Sequence, residues 1–254
     1  MTLEELRAIA ASVGERRGWD FSRMRTERDP TPWEYVEVVR PYLHPSTSVL
    51  DIGTGGGEVL IKLAPHFGCG VGIDVDPAMV GAAQENTPPA LQERVSFKVM
   101  DAAELQFPDE CFDLVLNRHC TIHVEPIVRV LYPGGVFITQ QVGRRNTRNI
   151  LAAFAWGADS YGENWWQDLT EIAARFEESG CTIIARGEYD VCYWFSDLES
   201  FIFWLKAAPF PEEIDLERNW RRIDDVLARF HSARGIETNE HRELLIVRKR
   251  QESI

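Results

Sequence analysis

Apolar positions along the chain follow two periods. At the amino end Leu3, Leu6, Ile9, Ala10 and Val13 recur at helical spacing, which predicts a helix over residues 2–13. Residues 14–32 carry Gly14, Gly18, Pro30 and Pro32 and read as an irregular connection. A short helix from Trp33 to Leu43 follows, stopped by Pro45. Beyond it, short apolar runs alternate with helical ones. Strands are predicted at Ser48–Ile52, Gly70–Asp74, Val95–Met100, Phe112–Asn117 and Val136–Gln141. Helices are predicted at Glu58–His66, Pro77–Glu85 and Pro126–Leu131, with Tyr132–Gly135 as a turn. Repeated strand–helix units with short apolar strands imply a parallel sheet covered on both faces, an α/β fold. Ligands of such sheets bind beyond the carboxyl ends of the strands, where the strand order reverses.

Composition narrows the setting. The chain has 254 residues, 27 basic and 40 acidic, for a net charge of −13. Its 44% hydrophobic content supports a substantial core. No apolar run reaches the roughly 18 residues of a membrane helix. The opening residues lack the basic and apolar segments of a secretory signal. Five cysteines without a C-x-x-C pair fit reduced thiols, so a cytoplasmic location is expected. A nucleic-acid binder needs a basic stripe. The densest basic run is Arg16, Arg17, Arg23, Arg25 and Arg28, broken by Asp20 and Glu27, which disfavours that partner.

The strand ends carry the candidate chemistry. The first reads Asp51-Ile52-Gly53-Thr54-Gly55-Gly56-Gly57-Glu58. Glycines there let the backbone turn and approach a ligand. A dinucleotide loop G-x-G-x-x-G would need its third glycine at position 58, where Glu58 would face a pyrophosphate. Together with Asp51, it suits a cationic ligand better and disfavours a nicotinamide oxidoreductase. The second strand ends on Asp74, 74 − 51 = 23 residues after Asp51, placed to accept from both hydroxyls of a ribose. Asp76 reads as the cap of the next helix. The third ends Met100-Asp101-Ala102. Asp101 is either an acceptor for an adenine amino group, with Met100 and Val75 on the ring faces, or a helix cap.

In this order, Asp51-x-Gly53-x-Gly55-x-Gly57, Asp74, Asp101, Phe112-Asp113-Leu114-Val115 and Leu131-x-Pro133-Gly134-Gly135 resemble the class I S-adenosylmethionine-dependent methyltransferases, in particular their small-molecule, type 11-like members. The resemblance covers about residues 46–145. It implies a Rossmann-like, seven-stranded, mostly parallel sheet with an antiparallel last strand and helices on both faces. A helical cap insert would precede that last strand, for which His241–Lys249 is the candidate. One domain is expected over 1–254: a helical lid (1–45), a cofactor-binding core (46–145), the rest of the sheet (146–195), the cap insert (196–235) and the final strand (236–254).

The resemblance also implies S-adenosylmethionine as cofactor, S-adenosylhomocysteine as product and a small or medium organic acceptor methylated at O, N or C. Its cofactor-binding residues would be Asp51, Gly53, Thr54, Gly55, Gly57, Asp74, Val75, Met100, Asp101, Ala102 and Asn117, the last near the methionine amino group. Asn117-Arg118-His119-Cys120 stands where adenine- and glutamine-directed amino methylases carry N-P-P-Y. The alternatives are an RNA base methyltransferase and a non-catalytic S-adenosylmethionine-binding protein.

Methyl transfer from a sulfonium needs in-line positioning and exclusion of water, with a base only where the acceptor loses a proton. His119 and His123, after the fourth strand, are the candidate bases. Their competing reading is ordinary loop histidines. A metal held by His119, Cys120, His123 and Glu125 needs a regular helix that Pro126 disfavours, so no metal is expected. The aromatics between Tyr189 and Phe210 are cap core or acceptor pocket, with two or three expected at the ligand. Ser196–Glu199 reads as a capping box opening a helix, and a second cap helix is expected over about Leu216–Phe230. Trp19, Phe21, Trp33 and Tyr35 are placed to close the opposite side.

Overall fold

A computed structural model of the chain describes residues 1–16, 19–157, 160 and 166–251. Arg17 and Gly18 of the basic, glycine-marked segment lie outside the described residues. So does part of 146–195 and the end of 236–254.

The alternating pattern folds into strands β1 (Thr26–Arg28), β2 (Ser48–Ile52), β3 (Cys69–Asp74), β4 (Val95–Val99), β5 (Phe112–Arg118), β6 (Leu131–Val142), β7 (Cys181–Phe195), β8 (His231–Ser232) and β9 (Gly235–Lys249). The helices are α1 (Leu3–Ser12), α2 (Tyr35–Val39), α3 (Glu58–Leu63), α4 (Pro77–Asn86), α5 (Val124–Val130), α6 (Arg148–Ala153), α7 (Leu169–Glu178), α8 (Leu198–Ala207) and α9 (Trp220–Phe230). The sheet runs β1-β7-β9-β6-β5-β2-β3-β4, with β8 paired to β9. Strands β4, β3, β2, β5 and β6 are parallel. Strand β9 is antiparallel to β6 and β7. The Rossmann-like class therefore stands. Two short strands, β1 on the edge and β8 in a hairpin, extend the expected seven.

Alternation along the strands divides the core into two layers. Leu50, Ile52, Val115, Phe137, Leu245 and Val247 face α5 and α7 on one side. Val49, Leu114, Leu116, Ile138, Leu244 and Ile246 face α2, α3 and α4 on the other. Because successive strand side chains point to opposite faces, both layers are filled by the same short apolar runs. A third cluster joins Leu6 and Val13 with Phe154, Phe195, Phe201, Ile202, Leu205, Ile223 and Val226. Thus the amino-terminal helix packs with α8 and α9 in one cluster.

Several boundaries shift for physical reasons. The last strand begins at Gly235, six residues before the expected apolar stretch, because Thr238, Asn239, Glu240 and His241 are buried polar residues with specific partners. The β6 strand starts at Leu131 and bulges against β5 around Pro133–Gly135. The first cap helix is capped by Asp197, which accepts from the Ser200 N–H at 2.8 Å, so the expected Ser196–Glu199 box does not form. The second spans only Trp220–Phe230. No helix among the described residues is long and apolar enough to cross a membrane.

Candidate active site

The strand order reverses between β3 and β5, on either side of β2. At the carboxyl ends of these strands lies a cavity of about 570 Å³. Its floor is the loop after β2. Gly53 and Gly55 both adopt left-handed φ, at +68° and +57°. A Cβ on Gly53 would stand 2.5 Å from the Cys120 Cβ, and one on Gly55 would stand 2.6 Å from Cδ1 of Trp19. Neither position accepts a larger residue without displacing a neighbour. Gly57, at φ +78°, precedes the first turn of α3.

Two carboxylates shape this floor. Asp74, at the end of β3, accepts from the Gly55 N–H at 3.0 Å and from the Asp76 N–H at 3.0 Å. It therefore pins the glycine loop, while its oxygens retain lone pairs toward the cavity. Asp51 is buried and accepts from the Thr54 hydroxyl at 2.7 Å. Burial pushes its carboxyl up to about 7, and the charges of Glu58 and Asp74 add to the shift, against the Thr54 hydrogen bond and the Arg118 charge. A cation bound nearby would favour its ionised form.

After β5 the chain turns sharply. His119 has φ +59°, a rare conformation for a residue with a side chain, and its N–H donates to the Gln140 carbonyl at 3.0 Å. His119 lines the cavity and keeps exposed surface there. Desolvation, then the charges of Arg118 and Arg242, hold the imidazole well below its usual 6.5. At neutral pH it is uncharged and able to accept a proton. Burial pushes the adjacent Cys120 thiol up to about 11, which keeps it protonated and a poor nucleophile.

The remaining expected residues divide. Asp51, Gly53, Thr54, Asp74 and His119 line one cavity. Gly55 and Gly57 shape its floor. Val75, Met100 and Asp101 stand outside it, beyond Asp74, with Val75 64% exposed. Asp101 accepts from the Ala103 N–H at 2.8 Å, so it caps the turn over Ala102–Glu104, and Ala102 itself is buried. Asn117 is fully buried and its side chain does not reach the cavity. Its Oδ1 accepts from Thr139 and Gln141, and its amide donates to the Thr121 carbonyl. His123 precedes the first turn of α5 and does not line the cavity either, because the left-handed turn at His119 directs the two histidines apart.

The roof is aromatic. Tyr193, Phe195, Trp204 and Phe210 reach the cavity, along with Trp19, Phe21 and Met24 from the amino end. Trp33 does not: it packs on Tyr189 and donates to Gln140. Tyr35 is buried under β5 and β6.

Three charged residues of the cavity were not singled out from the sequence. Glu240 and Arg242 of β9 and Arg118 of β5 line the cavity. Glu240 accepts from Tyr189 at 2.6 Å and from Arg28 at 2.8 Å. The signal was a polar run, Thr238–Arg242, inside a central strand. Arg16, named from the sequence only as part of the basic run, has its Nη1 buried without a hydrogen-bond partner among the described residues. Its guanidinium lies 4.0 Å over the Trp19 ring, and Trp19 covers Gly55. Among the described residues, only Glu188, His241 and Glu243 bring three ligand-type groups within 4.8 Å. Arg145 and the Glu188–His241 contact already occupy part of that cluster.

Residues 49–135 match the family model of a methyltransferase domain. Over 120 residues the chain is 35% identical to 2-methyl-6-phytyl-1,4-hydroquinone methyltransferase of Synechocystis, covering 44% of this chain and 37% of that protein. Over 206 residues it is 26% identical to ajmaline N-methyltransferase of Rauvolfia serpentina, covering 76% and 62%. The match thus spans about a third to three-fifths of these relatives' length. In fold it is similar to the YcgJ protein of Bacillus subtilis, with a TM-score of 0.58, 18% identity and coverage of 85% and 96%.

Proposed function

We propose that the chain is a class I S-adenosylmethionine-dependent methyltransferase that moves a methyl group to O, N or C of a small or medium organic acceptor in a cytoplasmic setting; the methyltransferase-domain match and the methyltransferase relatives support this reading. The observation that carries this reading is one cavity holding the glycine loop, Asp51, Asp74 and His119 beneath an aromatic roof.

The side chains present suit the cofactor. Asp74 would accept from the ribose hydroxyls, and Val75 offers an exposed apolar face for the adenine. Asp51 would face the amino-acid cation, and the orphan Nη1 of Arg16 would take the carboxylate. Asp101 keeps one carboxylate oxygen free beyond its cap. Bound there, S-adenosylmethionine supplies an electrophilic methyl group.

The chain's own part is positioning and proton handling. The aromatic roof excludes water and orients the acceptor. His119, neutral at Nδ1 or Nε2, accepts the acceptor's proton where one must leave. The Asn117–Thr139–Gln141 network fixes the end of β5 and so the place of that imidazole.

The RNA alternative loses ground. Arg25 is paired with Asp197 and Arg28 with Glu34 and Glu240, while Arg16 is folded over Trp19. Three of the four described arginines of that run are thus engaged within the protein, which weakens a basic stripe for phosphates. Calorimetry with S-adenosylmethionine, S-adenosylhomocysteine and NAD tests the proposal: the first two should bind and NAD should not. Binding of NAD alone would overturn it.

A further inference from the structure

We propose that the acceptor carries an anionic group, a carboxylate or a phosphate, and that Arg118 reads it. The inference rests on the methyltransferase reading above and deepens it to a substrate class.

The cavity has two electrostatic halves. Asp51, Glu58 and Asp74 surround the glycine loop. Arg118 and Arg242 line the side that includes His119. Arg242 is held in place, donating to Asn146 at 2.6 Å and to the His241 carbonyl at 2.8 Å, with Glu240 at 3.3 Å. Glu240, the acid on that side, is already shared among Arg28, Tyr189 and Arg242.

Arg118 differs from its neighbours. Arg25, Arg28, Arg145 and Arg148 each pair with a carboxylate. Arg118 has no hydrogen bond or ion pair from its guanidinium among the described residues, only the Tyr35 ring at 6.0 Å. Such a distance brings little stabilisation. In a chain with 40 acids, Arg118 lines the cavity beside a second arginine with no carboxylate in ion-pair contact among the described residues, although Asp51 of the same cavity feels its charge. A guanidinium presents five donors in a planar fork that matches carboxylate and phosphate oxygens. The apolar part of the acceptor then lies against Trp204 and Phe210, while its anion meets Arg118. This places the group to be methylated beside His119, the next residue.

The test uses the full chain loaded with S-adenosylhomocysteine, followed by the fluorescence of the cavity tryptophans. Phenyl phosphate, benzoate and benzyl alcohol are titrated in turn. At least one anion should bind about tenfold or more tighter than the uncharged alcohol, since hydrogen bonds to charged groups are the strong ones. The better of the two anions identifies phosphate or carboxylate. Arg118→Gln should abolish the preference and Arg118→Lys retain part of it, with S-adenosylhomocysteine affinity within about twofold of the parent in both. Equal binding of alcohol and anions, or no binding of either anion, would overturn the inference. So would a parallel loss of S-adenosylhomocysteine affinity in Arg118→Gln that persists at alkaline pH, where Asp51 is ionised without help from the Arg118 charge; that loss would assign the arginine to the methionine carboxylate. Failure of the parent to bind S-adenosylhomocysteine would instead sink the methyltransferase reading itself.

Discussion

Replacing Asp51 by asparagine should make the protein more stable at alkaline pH while weakening its cofactor site. The carboxyl is buried and pushed from an ordinary 3.8 up to about 7. An acid whose folded value is raised is favoured in its protonated form, so folding takes up a proton. Stability from this group is full below about 4, falls as pH rises toward 7, and is flat above it. At roughly 1.4 kcal/mol per pH unit, the total loss is about 4 kcal/mol. The substituted amide does not titrate and escapes that loss. It adds a donor needing a partner, a cost of about 1–3 kcal/mol that does not vary with pH. The pH dependence is therefore the clean signal. Above the isoelectric point near 5.0, the difference between variant and parent should grow by about 2 kcal/mol between about pH 5.5 and 8.5. Urea unfolding at the two pH values measures it. A difference that stays constant would mean that Asp51 is ionised throughout and that its burial is compensated. In the same protein S-adenosylmethionine affinity should rise with pH through about 7 in the parent and be flat in Asp51→Asn.

Asp74→Ala removes the loop's Gly55 anchor and two ribose acceptors; calorimetry should show S-adenosylmethionine binding about tenfold or more weaker. Unchanged affinity would remove the ribose assignment. Arg16→Gln should also weaken that binding while costing only about 0.5–2 kcal/mol of stability in thermal unfolding, because its guanidinium loses stacking over Trp19 and Phe21 and no hydrogen bond of Nη1. His119→Ala should lower turnover by about 10²–10⁴-fold with cofactor affinity retained. Since burial and two guanidiniums hold this imidazole below 6.5, its inflection in the pH–rate profile belongs on the acid side of neutrality, not near 7. Near-normal turnover in the variant would leave positioning alone as the mechanism. Trp204 packs on Phe195 and Phe210 and also lines the cavity, so Trp204→Phe is the informative change. It should alter turnover without unfolding the cap.

The predicted strands near the glycine loop match the folded ones to within a residue or two, and Asp76 caps α4 as expected. Asp51, Asp74 and the glycines were legible for the same reason: each lies a fixed step beyond a short apolar run. In a strand–turn–helix unit, contiguous residues decide where the turn falls and which backbone must be glycine. His119 was legible by the same rule, and His123 was not separable from it. Four residues of chain do not reveal a left-handed φ, and that one dihedral sends one ring into the cavity and leaves the other at a helix start.

The long β7 strand was missed as a strand because much of it is exposed, so its apolar alternation is faint. The buried Thr238–Glu240 run lay outside the apolar stretch that marked the last strand, since polar residues show no core periodicity. It is ordered by partners such as Arg28, Tyr189 and Asn149, and those bonds offset the desolvation of the buried groups. The glycine floor and its acids were thus set by local sequence. The opposite wall of the cavity was set by packing among Trp19, Arg118, Trp204 and Arg242, drawn from opposite ends of the chain. Charge balance inside that wall depends on which carboxylates the fold brings to which arginines, and no spacing along a single strand or helix encodes that pairing.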